Sequence, residues 1–171
     1  MILSASLALA GAHLGAATRL TQYPLLYEGI PWRPALAVEG GVRLPPGVDV
    51  TSSFRLVAPM PAEPSWAVEA GLRAELVAEL GRWRPAAGLE LGLSTRARSE
   101  VLDDERPPGS YFADLGRPEP IWLDFVVTPL RFGAGPWEIG VGRTALGVSL
   151  PSFGLAGRLA VDAVTLTREL P

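Results

Sequence analysis

The sequence predicts an all-β protein: an eight-stranded antiparallel up-and-down transmembrane β-barrel, one domain over residues 1–171 with no separate soluble domain. Three observations carry this. Segments alternating apolar and polar residues recur along the chain. The links between them alternate between long and short. The tryptophans sit at segment ends. The clearest segment is WAVEAGLRAELVAEL, from Trp66 to Leu80. Trp66, Val68, Ala70, Leu72, Ala74, Leu76, Ala78 and Leu80 share one set of positions. Glu69, Gly71, Arg73, Glu75 and Glu79 lie between them, with Ala67 and Val77 as the exceptions. Its composition favours a helix. A helical turn of about 100° per residue would scatter these charges, whereas a strand's alternation of about 180° lines them on one face. A long strand with one apolar and one charged face suits lipid on one side and a polar lumen on the other.

Composition agrees. Hydrophobic residues make up 48% and charged residues 19%, with mean hydropathy +0.24. A typical soluble domain is about 25% charged. Yet no uninterrupted run of about 18 apolar residues offers a transmembrane helix. All 15 basic residues are Arg, whose planar fork pairs bidentately with carboxylates in a crowded interior. The net charge of −3 argues against a nucleic-acid partner. Cysteine is absent, so disulfide and thiolate chemistry are excluded. The first residues, MILSASLALAGAHLGAA, carry no basic residue before Arg19 and read as a mature first strand rather than a signal peptide.

The elements follow in order. The first strand is read as Leu3–Thr18, with Leu3, Ala5, Leu7 and Leu9 outward. The second, Trp32–Leu44, sets Trp32, Leu36, Val38, Val42 and Leu44 against Ala35, Ala37, Glu39, Gly41 and Arg43. Pro45-Pro46-Gly47 turns the chain. The third, Val48–Pro59, sets Val48, Val50, Phe54 and Leu56 against Asp49, Thr51, Ser53 and Arg55. The segment from Trp66 is the fourth, and Gly81-Arg82 turns it into the fifth. There Leu89, Leu91 and Leu93 alternate with Glu90, Gly92, Ser94 and Arg96. In the sixth, Ile121, Leu123, Phe125 and Val127 alternate with Trp122, Asp124, Val126 and Thr128, and Gly133-Ala134-Gly135 turns the chain. The seventh begins with Trp137, Ile139 and Val141 outward and Glu138 and Gly140 inward. Continued unbroken, that register puts Arg143 in lipid, at about 2–4 kcal/mol near the midplane. A bulge near Gly142 corrects it, turning Arg143, Ala145, Gly147 and Ser149 inward. The eighth sets Leu155, Leu159 and Val161 against Arg158, Ala160 and Asp162, and its alternation weakens beyond Ala163.

Long links at Leu20–Pro31, Pro59–Ser65 and Ser99–Pro120 fall at one end and tight turns at the other; only the seventh link, around Pro151-Ser152, is short where a long one is expected. Outer-membrane barrels show this rhythm, with short turns periplasmic. An aromatic girdle is expected from Trp32, Trp66 and Trp122 at the long-link rim, and from Trp83 and Trp137, with Phe132, at the short-turn rim.

On these strands, links and tryptophans the chain resembles the small eight-stranded bacterial outer-membrane barrels, the OmpA transmembrane-domain and OmpX-like group. The resemblance is architectural and carries no sequence motif. It implies a location in the outer membrane of a Gram-negative cell. Such proteins usually end in a strand with a terminal aromatic, whereas this chain ends Val164-Thr165-Leu166-Thr167-Arg168-Glu169-Leu170-Pro171.

The candidate site is the lumen. The inward face gathers Glu39, Asp49, Glu69, Glu75, Glu79, Glu90, Asp124, Glu138 and Asp162, opposed by Arg43, Arg55, Arg73, Arg96, Arg143 and Arg158. An eight-stranded barrel is just wide enough for side chains, so these charges must pair. They form either a structural plug or a narrow ion path. His13, the single histidine, is expected on the outward side of the first strand near the outer rim. No matched Ser and carboxylate share that face. One His without Cys makes a metal site improbable, and no cofactor is expected. In the longest link, Glu100, Asp103, Asp104 and Glu105 either hold a divalent cation or form a solvated acidic loop. Tyr23, Tyr27, Tyr111 and Phe112 offer a loop surface for a partner, or lie against lipid headgroups. The leading expectation is a non-enzymatic scaffold barrel that contacts outer-membrane lipid and binds a protein partner in that membrane or at the cell surface. The alternatives are a narrow porin-like pore or hydrophobic-ligand transporter, and a soluble lipocalin-like barrel with the two faces exchanged.

Overall fold

The computed structural model describes residues 11–22, 32–59, 66–94, 121–150 and 157–171. They form one antiparallel sheet closed on itself. Its strands are β1 (Ala12–Gln22), β2 (Arg33–Leu44), β3 (Val48–Val57), β4 (Ala67–Val77), β5 (Ala86–Ser94), β6 (Ile121–Thr128), β7 (Leu130–Ala134), β8 (Trp137–Leu150) and β9 (Gly157–Glu169). Each of β2–β6 pairs with its predecessor, β9 pairs with β1, and β8 pairs with β6, β7 and β9. β6 and β7 are therefore two pieces of one stave, interrupted at Pro129, and the barrel has eight staves. Proline lacks the N–H that a ladder needs.

The faces are sorted as alternation requires. Leu36, Phe54, Leu72, Leu76, Leu89, Phe125 and Leu146 are exposed on the outer wall, while Arg19, Arg55, Glu90, Asp124 and Asp162 are buried inside. This is the reverse of a lipocalin-like barrel, which would hold the leucines in. Outward hydroxyls are satisfied by the backbone: Ser52 donates to the carbonyl of Gly40 at 2.9 Å and Thr144 to that of Gly142 at 3.2 Å.

The reversal at Gly142 is present and wider than expected. Glu138 and Gly140 face in, then Arg143 and Ala145, with Gly142 at φ +67°. That left-handed conformation favours glycine. The neighbouring staves reverse at the same level. Thr128 and Arg131 both face in across Pro129-Leu130, and Asp162 and Thr165 across Ala163-Val164. Because adjoining staves each carry an extra residue, the β8–β9 pairing keeps one register through the irregularity. The shift surfaces between β1 and β9, at Ala17/Arg19. A seam of three aligned irregularities thus crosses the wall at Pro129, Gly142 and Ala163.

Four boundaries differ from expectation. The first strand is Ala12–Gln22, not Leu3–Thr18, and residues 3–10 lie outside the described segments. The turn after β7 is Gly135-Pro136, so Gly133 and Ala134 belong to the strand. The fourth strand ends at Val77, leaving Glu79 exposed beyond it. The last strand continues to Glu169, the seam at Ala163 having disguised its alternation.

Candidate functional site

The lumen is filled by side chains from every stave. Among the described residues, eight buried carboxylates (Glu39, Asp49, Glu69, Glu75, Glu90, Asp124, Glu138 and Asp162) meet seven buried arginines and the half-buried Arg43. A charge in an interior this dry is tolerable only when paired and hydrogen-bonded.

The pairs stack along the barrel. Near the long-link end, Arg158 donates to Asp124 at 2.6 Å and to Glu69 at 3.4 Å. Its guanidinium lies 4.2 Å from the ring centroid of Trp122, with that of Arg55 at 5.9 Å. Arg55 also pairs with Glu90. At mid-height, Glu39 accepts both prongs of Arg73, each at 3.1 Å, and both prongs of Arg143, at 3.0 and 2.6 Å. Asp162 accepts Arg19 at 2.7 and 2.8 Å and also Arg143. Such fork-to-carboxylate geometry is what Arg offers over Lys. Near the short-turn end, Asp49 accepts Arg131 at 2.6 Å and Arg43 at 3.3 Å. Glu138 accepts Arg43 at 3.1 Å, Arg84 at 3.3 Å, and Arg131.

The structure brings together most of the expected network: Glu39, Arg43, Asp49, Arg55, Glu69, Arg73, Glu75, Glu90, Asp124, Glu138, Arg143, Arg158 and Asp162. Glu79 is the exception, exposed at the turn because β4 has already ended. Arg96 lies outside the described residues, as do Tyr23, Tyr27, Tyr111, Phe112 and the acidic stretch from Glu100 to Glu105. Arg19, Arg33 and Arg131 are lumenal residues that the sequence reading missed. Arg19 falls just beyond the expected end of the first strand, Arg33 lies inside the expected second strand on the inward set of Ala35 and Ala37, and Arg131 follows the interruption at Pro129. Extending the inward set of Ala35 and Ala37 back one step would have found Arg33, whereas Arg19 falls on the set read as outward from Leu3, Ala5, Leu7 and Leu9.

Two further residues are corrected. Trp122 is 2% exposed and points into the lumen, so it is no part of the girdle. It shares the face of Asp124 and Val126, and Gly92 beside it leaves room for the ring. Trp32, Trp66, Trp83 and Trp137 are exposed at the strand ends, as a girdle requires. His13 is not on the outer wall. It is 5% exposed, inside the barrel near the short-turn end, opposite Gly41. Starting the strand at Ala12 rather than Leu3 moves it to the other rim. Its Nε2 lies 3.3 Å from Thr51 Oγ1 and 3.5 Å from Asp49 Oδ1. In a nucleophile–His–acid relay the acid sits on the other ring nitrogen, so this group does not match one. Among the described residues, no group of three or more His, Asp or Glu is placed to hold a metal ion.

No family model matches the chain, and no curated protein matches it. Among solved structures it is similar to the crystal structure of Neisserial surface protein A (NspA), with TM-score 0.63, 11% identity, and coverage of 94% of this chain and 97% of that one. At this identity the likeness is one of fold: the chain is a closed eight-stranded antiparallel up-and-down barrel, as that surface protein is.

Proposed function

We propose that the protein is a non-enzymatic outer-membrane barrel, a structural or scaffold component that contacts lipid along its wall and binds a partner through its loops or outer wall. One observation carries the reading: charges are paired inside while large apolar side chains cover the outside. That sorting is costly in water, where monomers rarely expose apolar patches beyond a few hundred Å². In a bilayer it is the stable arrangement. A groove of about 410 Å³ on the wall, lined by Leu20, Leu36, Leu56 and Trp66 among others, lies in this apolar belt, where acyl chains fill it. The paired lumen supports a plug over a pore. Membrane fractionation with a heat-modifiability gel tests the location: extraction as a soluble monomer without detergent would overturn it. Planar-bilayer recording tests the plug, and steady open channels would overturn that. Pull-down from native membranes tests the scaffold role, which a barrel that always purifies alone would contradict.

A further inference from the structure

Among the described residues, Arg168 is the one charged strand residue on the outer wall; every other Arg, Asp and Glu of β1–β9 turns into the lumen. The irregularity at Ala163-Val164 puts it there. Unbroken alternation from Asp162 would set Arg168 inward; instead Thr165 and Thr167 turn in, and Leu166 and Arg168 turn out. Its place is the short-turn rim. Arg168 pairs with Leu14 on β1 and with Trp137 on β8, both exposed on the same face. Its guanidinium lies 5.5 Å from the centroid of the Trp137 ring, within cation–π reach. Trp137, with Trp83 and Phe132, marks the height at which the apolar wall meets headgroups. A charge on the lipid face costs least at that height. No carboxylate neutralises this one. Its chain neighbour Glu169 turns the other way, to Arg43 at 3.3 Å and Arg84 at 3.4 Å, and no ion pair among the described residues includes Arg168.

We propose that Arg168 and Trp137 form a binding site for the phosphate of an anionic phospholipid in the leaflet on the short-turn side. The guanidinium fork donates to two phosphate oxygens, a geometry it matches. The Trp137 ring holds the fork at headgroup height without using its N–H donors. The acyl chains run from there along Leu166 and Ile139, which are paired with each other and exposed on the same face. A net negative lipid is favoured over a zwitterionic one, because the outer face of these strands offers no carboxylate to receive a headgroup amine. The site deepens the lipid contact proposed above and rests on the membrane reading.

Native mass spectrometry of the full chain, released from nanodiscs of equal phosphatidylglycerol and phosphatidylcholine, reads the occupant directly. The first retained lipid should be phosphatidylglycerol with a preference of about fivefold, the worth of one basic side chain at an anionic surface. Arg168→Gln should abolish that preference. Arg82→Gln, an exposed arginine in the turn after β4, should leave it unchanged. Urea unfolding in vesicles gives a second reading: adding phosphatidylglycerol to phosphatidylcholine should lower the unfolding constant of the unaltered protein by about fivefold and leave that of Arg168→Gln unmoved. Equal retention of the two lipids by the unaltered protein would overturn the site, as would an equal loss of preference in the two variants, which is the mark of diffuse surface charge. Failure to enter nanodiscs of phosphatidylcholine alone would overturn the membrane reading as well, whereas entry without any lipid preference overturns the site alone.

Discussion

The indole N–H of Trp83 donates to the backbone carbonyl of Pro129 at 2.8 Å, at the point where one stave breaks and its neighbour has already turned. A side chain here takes the place of a ladder bond. Pro129 and the seam beside it leave backbone groups without strand partners, and in an apolar surrounding an unpaired carbonyl is expensive. Trp83→Phe keeps the aromatic bulk and removes the donor. It should cost about 1–3 kcal/mol, the penalty for leaving one desolvated group unmade. Urea unfolding in lipid vesicles, followed by fluorescence of the remaining tryptophans, measures it. A change within about 0.5 kcal/mol, the range of an inert surface substitution, would show that water or headgroups satisfy Pro129 instead.

Arg143 holds Glu39 and Asp162 together, and it can do so only because the seam at Gly142 turns it inward. Arg143→Gln removes the cation shared by two buried carboxylates and should destabilise by about 3–5 kcal/mol. Adding Glu39→Gln should recover part of that loss, because one stranded charge disappears with it. The same unfolding assay on both singles and the double gives the coupling. Strict additivity would mean the pairs at mid-height do not depend on one another.

Glu75 and Glu79 separate the lumen from the turn. Glu75 accepts Arg73 at 2.9 Å and Thr128 at 3.2 Å in the interior, whereas Glu79 is exposed beyond the strand. Glu79→Gln should therefore change stability by less than about 0.5 kcal/mol, as exposed substitutions do. Glu75→Gln should cost several times more, since it leaves Arg73 partly uncompensated. Equal effects would contradict the placement of the β4 end.

Alternation carried most of the fold. It located the inward faces of β2–β6 and β8, and it required the reversal at Gly142 because the alternative exposed Arg143 to lipid. It failed where periodicity says nothing. Strand ends have no period, so Arg19 fell outside the expected first strand and Glu79 was wrongly gained; Arg33 was within reach, on the inward set of Ala35 and Ala37. The first strand consists largely of small apolar residues, whose two faces look alike. Its register slipped by most of a strand length, which carried His13 to the wrong rim and the wrong face. The reversal at Pro129 was open to the same argument, because an unbroken register puts Arg131 in lipid, but the expected sixth strand stopped at Thr128. The reversal at Ala163 becomes visible beside Gly142, its neighbour across the sheet.

Trp122 shows how a correct alternation yields a wrong role. It lies on the inward set with Asp124, yet an aromatic at a strand end suggests a girdle. The structure resolves this in favour of the face, with the ring beneath the Arg158 guanidinium and against Gly92. Cation–π contact in a desolvated site contributes about 2 kcal/mol or more. Two measurements follow. In vesicles containing lipids brominated along the acyl chain, Trp32, Trp66, Trp83 and Trp137 should be quenched and Trp122 should not. Trp122→Phe should then raise the fraction of fluorescence that is quenched, whereas Trp66→Phe should lower it. Gly92→Ala probes the same contact from below. A methyl there overlaps the indole, so it should cost about 1–3 kcal/mol, the range for overpacking. Most of that cost should vanish when Trp122→Leu is present, because a smaller side chain vacates the space. If Gly92→Ala costs the same with either residue at 122, the ring does not rest on Gly92. If Trp122→Phe leaves the quenched fraction unchanged or lowers it, Trp122 faces lipid after all.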